Sequence, residues 1–443
     1  MTRVGLAVHR TFHSVSHSRN FRLFFVGQFI SVTGTWMQSV ALAWLVLKLT
    51  DSAVALGVQA ALNFGPILFL GAWGGLLADR RDKRRILIVT QSVFAVLALV
   101  LWGLVATGVA VLWVVYLLSL LQGMVTAIDN PTRQSFYAEM VGQDDLPNAV
   151  SLNAAVITGT RIIGPALAAL LIATVGLAPS FLFNGISYVA VIGALWAMRP
   201  EELHRDAVAE VHKGQLREGL AYVWRTPELR LPLVWMAAIF TLSFNFSVLF
   251  PLMATRVFTG DAGTYGTLLS VMGVGSLVGS LLMARQRDPN PRRLAYSAMA
   301  FGVISILAAA APTLPVELAV LLPFGLVSMV FLITGNSTLQ LTSRPDMRGR
   351  VMALYGIVFL GGTPIGAPVA GWVADHLGVR WGIALGGVVA LATGLAGVLQ
   401  MSRTRWHLPW VHRARRSAEV VAVPTDGASL DPELARRGHG LSA

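Results

Sequence analysis

Runs of about 20 or more mostly apolar residues recur along this chain, and most of the segments between them are too short to hold a domain. A run of about 20 such residues is what an α-helix needs to cross the hydrocarbon core of a bilayer. Twelve runs of that length lie near 24–47, 53–78, 86–105, 110–128, 147–175, 180–198, 231–257, 265–284, 295–311, 316–336, 350–374 and 381–401; they are numbered here as spans 1 to 12. The expectation is an all-α polytopic membrane protein of twelve transmembrane helices. Mean hydropathy is +0.66, and only 13% of the 443 residues are charged. A soluble globular chain rarely has that composition.

Basic residues fix the orientation. Lys48, Arg256 and Arg380 fall in connections on one side and Arg161 inside a span, leaving 30 of the 34 Lys and Arg residues for the opposite side. By the positive-inside rule that side is the cytoplasm, with both termini on it. The net charge of +12 therefore belongs to loops beside anionic lipid rather than to a nucleic-acid partner. There is no cysteine, and the amino terminus lacks a cleavable-signal pattern, so the first helix is expected to be retained.

The longest internal connection, about Arg199 to Arg230, divides the spans six and six. This gives 1–200 as an amino-terminal bundle, 201–230 as a cytoplasmic linker, 231–401 as a carboxy-terminal bundle and 402–443 as a disordered cytoplasmic tail. Leu216, Leu220 and Val223 sit at helical spacing among charges in the linker, the pattern of a short helix lying on the inner membrane surface. The two halves echo each other. Asp145-Leu146-Pro147 leads into a helix with Gly159, Gly164 and Pro165, and Asp346-Met347-Arg348 leads into one with Gly361, Gly362, Gly366 and Pro368. These glycines and prolines mark expected helix bends and close approaches suited to rocking motion, or packing alone.

Between spans 2 and 3 stands Gly74-Gly75-Leu76-Leu77-Ala78-Asp79-Arg80-Arg81-Asp82-Lys83-Arg84-Arg85. A carboxylate at a helix C-terminus opposes its own helix dipole, so Asp79 wants a cation or the N-terminus of a neighbouring helix. Gly75, Asp79, Arg80, Arg84 and Arg85 together read as a docking device. Helix eight ends in a similar Gly279-Ser280-Leu281-Leu282-Met283-Ala284-Arg285, where Ala284 replaces the acid.

Inside the membrane, Arg161 is the charged residue expected well within a span. It either meets an anionic or carbonyl-bearing substrate group or is satisfied by backbone carbonyls at a break made by Gly164-Pro165. Gln28, Ser31, Thr35 and Gln38 form one polar stripe on span 1, with Trp36 between two of them. The stripe lines a path or bonds to neighbouring helices. Asn63, Gln122, Asn153 and Asn245 are similar polar candidates; Phe244, Tyr265 and Tyr355 are candidate aromatic walls of a cavity. No nucleotide loop, metal-ligand cluster or catalytic constellation is present in the sequence, so neither an enzyme, a cofactor nor a metal is expected.

From Arg19 to about Met401 the chain resembles the drug and siderophore exporters of the major facilitator superfamily, the branch of the enterobactin exporter and macrolide efflux proteins. The resemblance rests on Gly75 to Arg85, on Ser31-Val32-Thr33-Gly34-Thr35-Trp36-Met37-Gln38, on Asn130-Pro131-Thr132-Arg133 after span 4, on Asn148 to Asn153 with Arg161-Ile162-Ile163-Gly164-Pro165, and on Pro345 to Val351. It implies two pseudo-symmetric six-helix bundles, alternating access, a bacterial inner-membrane monomer, and export of a small molecule coupled to proton entry. Asp79 would then latch the cytoplasmic side against the start of span 11. Two departures matter: Ser119 stands where many drug antiporters carry arginine, and Thr35 where related segments carry aspartate. No acid is then expected in the core of any span, which leaves Asp129 and Asp79, at cytoplasmic ends, as the proton-coupling candidates. A lysophospholipid flippase, or a sensor or scaffold that has kept the fold, are the alternatives.

Overall fold

The computed structural model describes residues 13–204, 215–283 and 291–403. Ala284, Arg285 and the tail beyond Arg403 lie outside the described residues. The described chain is helical throughout: α1 His13–His17, α2 Arg19–Thr50, α3 Ala53–Arg80, α4 Lys83–Ala106, α5 Leu112–Thr174, α6 Ala178–Ala197, α7 Gln215–Arg225, α8 Pro227–Leu242, α9 Phe246–Leu252, α10 Ala262–Met283, α11 Pro291–Ala310, α12 Leu314–Thr342, α13 Arg348–Gly361, α14 Thr363–His376 and α15 Val379–Arg403. Eleven helical segments among the described residues are long and apolar enough to cross a membrane. One of them, α5, runs for 63 residues and holds two spans that meet at Gly142, whose φ of 75° no other residue type adopts cheaply. Counting α5 twice gives the twelve crossings.

Three spans depart from simple rods. Span 4 does not end near residue 128 but continues through Pro131 to the break at Gly142, so Asn130 to Arg133 are intrahelical rather than beyond the helix. Span 7 is α8 and α9 with a π-helical turn, Met253–Val257, and an interruption at Ser243 to Asn245. Span 11 is α13 plus α14, interrupted at Gly362. Within α5 the only non-helical dihedrals are at Gly142, so Gly159, Gly164 and Pro165 do not break span 5. Gly164 instead admits span 1: a Cβ there would collide with the Cβ of Trp36. Gly361 lies against Leu68, and Gly366 against the Thr241 carbonyl, so these are close approaches too.

Packing repeats between the halves. Spans 2 and 4, 3 and 6, and 1 and 6 pack together, as do 8 and 10, 9 and 12, and 7 and 12. The seam between the bundles is made by span 2 against span 11 and span 5 against span 8, the arrangement that an internal repeat produces. Aromatic residues fill each half. Phe21, Phe24, Phe136 and Tyr137 interlock edge to face in the first, and Phe240, Phe244, Phe246, Phe301, Phe324 and Phe331 pack in tilted and edge-to-face pairs in the second.

The seam is closed at one end. A Cβ at Gly57 would stand 2.5 Å from the Ala367 carbonyl oxygen, and one at Gly371 would meet Ala53. Gly266 faces Pro165 and Ala169, and Gly273 faces Ile162. At this end the Asp375 carboxylate accepts hydrogen bonds from Ser52 Oγ (3.1 Å), Ala53 N (3.0 Å) and Val54 N (2.9 Å). Arg256 pairs with the same carboxylate at 2.8 Å. At the opposite end Asp79 has no hydrogen bond or ion pair among the described residues, and Met347, which caps α13, gives no side-chain bond to the first-turn amides. On spans 5 and 8, Val150 and Ile157, and Val274 and Leu281, are exposed there. The bundles thus meet at the Asp375 end and part at the Asp79 end.

The linker helix expected around Leu216 to Val223 is α7. Val223 is buried, Leu220 and Trp224 are exposed, and Glu218 pairs with Arg350 at 3.1 Å near the start of span 11.

Candidate functional site

A cavity of about 250 Å³ opens within the first bundle, walled by spans 1, 3, 4, 5 and 6. Span 1 contributes Gln28, Ser31, Val32 and Thr35; span 4 contributes Gln122, Thr126, Asp129, Asn130, Arg133, Gln134 and Tyr137; Phe94, Asn153, Ile157 and Tyr188 complete it. Residues three and four apart share a helix face, which is why one side of span 4 delivers so many polar groups.

Its charge centre is an ion pair. Asp129 Oδ2 accepts from Arg133 Nε (3.0 Å) and from Arg133 Nη2 one turn on. Asp129 Oδ1 accepts from Thr90 Oγ1 (2.7 Å) and Gln91 Nε2 (2.8 Å) of span 3. The carboxylate is 2% exposed and the guanidinium 17%. Asp129 and Arg133 thus lie within the continuous helix of span 4 rather than at or beyond its end. Burying an ion costs several kcal/mol unless its lone pairs and protons are all met, and here four donors meet the carboxylate.

Above the pair runs an amide and hydroxyl network. Asn184 Nδ2 donates to Gln38 Oε1 (2.8 Å), and Gln38 Nε2 to Gln122 Oε1 (3.1 Å). Thr35 Oγ1 and Tyr188 Oη are 3.3 Å apart, and Phe94 stacks on Tyr188. Tyr137 Oη donates to Asn153 Oδ1 at 2.6 Å. Gln38→Ala is expected to strand the Gln122 carbonyl oxygen, to leave Asn184 Nδ2 with only a 3.4 Å bond to Tyr188, and to cost about 1–3 kcal/mol. An unchanged thermal unfolding midpoint in detergent would contradict it.

The structure thus divides the span 1 stripe. Gln28, Ser31 and Thr35 reach the cavity, whereas Gln38 is spent on neighbouring helices. Gln122 and Asn153 line the cavity; Asn63 does not, and its carbonyl packs against Gly123. Trp36 faces span 5, where the Arg161 guanidinium lies 5.6 Å from its ring centroid. Arg161 stands one turn beyond Ile157, and its Nε is buried without a hydrogen-bond partner among the described residues, as is Gln28 Oε1. The carboxy-terminal candidates are mostly packing. Asn245 (0% exposed) donates to the Thr241 carbonyl, Tyr265 is 2% exposed, and Phe244 belongs to the aromatic cluster. Phe244 and Tyr355 are half-buried, and Tyr355 stacks on exposed Phe359. Ser119, in place of the arginine of many relatives, is buried and accepts from Gln59 Nε2 at 3.1 Å.

Among the docking residues, Gly74 rather than Gly75 admits span 4, through the Ala127 carbonyl. Arg84 donates to the Leu195 carbonyl at 2.7 Å, and Asp82 caps α4 through the Arg85 amide at 3.0 Å. Arg80 and Arg85 are exposed.

Residues 11–422 match the family model described as transmembrane secretion effector. The Staphyloferrin A transporter of Staphylococcus aureus is 26% identical over 373 residues, covering 81% of this chain and 90% of that protein. The multidrug efflux pump Tap of Mycolicibacterium fortuitum is 29% identical, covering 78% and 87%. Macrolide efflux protein A of Streptococcus pyogenes is 23% identical, covering 85% and 94%. Among solved structures, a bacterial homologue of the human lysosomal transporter Spinster, inward-facing and unoccupied, aligns with a TM-score of 0.67 at 14% identity over 87% of this chain and 95% of that one. The nucleoside transporter NupG aligns at 0.68 and 12% identity over 88% and 100%. At these identities the likeness is one of fold.

Proposed function

Because the chain belongs to the transmembrane secretion effector family of the major facilitator superfamily, we propose that it exports a hydrophobic or amphipathic small molecule across the bacterial inner membrane by alternating access with proton antiport. The observation that carries this reading is the polar cavity around Asp129 and Arg133, in a two-bundle fold parted at the Asp79 end. With the basic loops and both termini in the cytoplasm, that open end faces the cytoplasm and the cavity stands ready for loading. The multidrug, macrolide and siderophore names of the relatives support a drug or siderophore class of cargo.

The chemistry follows from the ion pair. With Asp129 ionised, Arg133 is neutralised and the wall can receive an apolar guest. A proton taken up by Asp129 removes the partner of Arg133, and the freed guanidinium makes the wall cationic. Proton and cargo then compete for one site, which is the requirement for antiport. Drug-sized ligands fill sites of roughly 300–1,000 Å³, so a bound molecule extends beyond this cavity. The Nε of Arg161 marks where an anionic or carbonyl group of the cargo would end.

The test is uptake by everted vesicles across a panel of lipophilic drugs and siderophores. An acid-inside pH jump is expected to drive accumulation. Flux indifferent to that gradient, or driven by sodium, would overturn the antiport. Arg161→Ala and Arg161→Lys are expected to lower accumulation of an acidic cargo at least about tenfold, the scale of one charged hydrogen bond. Unchanged uptake at intact expression would remove Arg161 from the site.

A further inference from the structure

Span 2 closes on Gly75-Leu76-Leu77-Ala78-Asp79, and span 11 on Gly371-Trp372-Val373-Ala374-Asp375. Both pentads read Gly-x-x-Ala-Asp, and both place a carboxylate in the last turn of a helix that forms the seam. The two helices are antiparallel, since Gly57 lies on Ala367 while Gly361 lies on Leu68. The two pentads therefore sit at opposite ends of the molecule.

We propose that Asp375 and Arg256 hold the far end of the seam shut, as a second latch that mirrors Asp79 and is engaged when the first is free. Asp375 sits against the negative end of its own helix dipole, an unfavourable place for an isolated carboxylate. The structure supplies the compensation from the other bundle. The first two amides of span 2, Ala53 N and Val54 N, have no partner within their own helix, and both donate to Asp375. Ser52 adds its hydroxyl to Asp375 while its Oγ accepts from Ala55 N, so one carboxylate and one serine cap the whole first turn. Arg256, from span 7, completes the device. One nitrogen pairs with Asp375 at 2.8 Å, and the other reaches the carbonyl of Asp51 across the seam.

Apart from the Asp375–Arg256 pair and the Ala55 amide on Ser52, these contacts join the two bundles, so opening this end breaks all the others. At the other end the matching groups stand unjoined: Asp79 at the end of span 2, and the first turn of span 11 without a side-chain cap. One latch is thus closed and the other open. Charged hydrogen bonds of this kind weight a two-state equilibrium by about tenfold or more.

The inference rests on alternating access, and its test needs no transported compound. The chain has no cysteine, so a single introduced thiol reports cleanly. Ser270 donates to the Ile162 carbonyl across the seam at 3.2 Å, and Ser270→Cys is nearly isosteric. In right-side-out vesicles this thiol should react slowly with a membrane-impermeant maleimide. Adding Asp375→Asn or Arg256→Gln should speed the reaction about tenfold, whereas Asp79→Asn should leave it slow. The Asp375 and Arg256 side chains are 20% and 28% exposed, so neither change hollows the core. Parental rates in both variants would overturn the latch. A working exporter with unchanged labelling rejects the latch alone; a tenfold change in a chain that moves no compound keeps the latch and rejects the exporter.

Discussion

Arg133→Ala is expected to cost about 3–5 kcal/mol of folding stability and to stop transport, because it leaves the buried Asp129 carboxylate without its cation. The loss should be much smaller in the double variant Asp129→Asn with Arg133→Gln, where no charge remains unpaired; that non-additivity is the mark of a coupled pair. Arg133→Lys should not rescue fully, since one ammonium cannot present both Nε and Nη2 to Oδ2. Asp129→Asn alone keeps an acceptor for Thr90 and Gln91 and should fold. Its flux should still follow a substrate gradient yet no longer respond to a pH gradient. Thermal unfolding in detergent measures the first claim, and flux with and without a pH step the second. Additive losses in the double variant would show that Asp129 and Arg133 act separately.

The membrane architecture was legible in the sequence because its signals are long: twenty-residue apolar runs and cations gathered on one side tolerate errors of several residues. The site was only half legible. Pro131 and Asp129 spell the end of a span, since each is costly in a membrane helix, and that spelling puts Arg133 beyond the helix. In the fold, Thr90 and Gln91 of span 3 with Arg133 meet the Asp129 carboxylate, and the stripe Gln122, Thr126, Asp129, Arg133 and Tyr137 stays helical through Pro131. Extending the four-residue spacing past Pro131 would have found it. Span 1 was easier, although spacing alone could not separate Thr35, which meets the cavity, from Gln38, which meets Gln122. Tyr265 and Asn245 carried no usable signal, because a buried aromatic or amide and a cavity-lining one have the same spelling. Asp375 has partners more than 100 positions away in the chain, and no local pattern encodes them.

Gly57→Val is expected to have the second large effect, on the conformational equilibrium rather than on the fold. The Cβ it adds would meet the Ala367 carbonyl oxygen at 2.5 Å and Pro368 Cα at 2.9 Å. These are backbone atoms that no rotamer change can clear. Overpacking of this kind costs about 1–3 kcal/mol, and here it falls only on the state in which spans 2 and 11 touch. The population closed at the Asp375 end should therefore drop roughly 5- to 150-fold, read as faster labelling of a thiol at position 270 from that face. Two other glycines separate this from general damage. Gly159 has nothing within 4 Å of its added Cβ, so Gly159→Ala should change little. Gly123 packs on the Asn63 carbonyl inside one bundle, so Gly123→Val should lower the unfolding temperature without favouring either end. Ala367→Gly should not rescue Gly57→Val, because the obstructing atom is a carbonyl oxygen that glycine retains. If Gly57→Val unfolds the protein as Gly123→Val does, spans 2 and 11 form a permanent joint and the bundles do not part at that end.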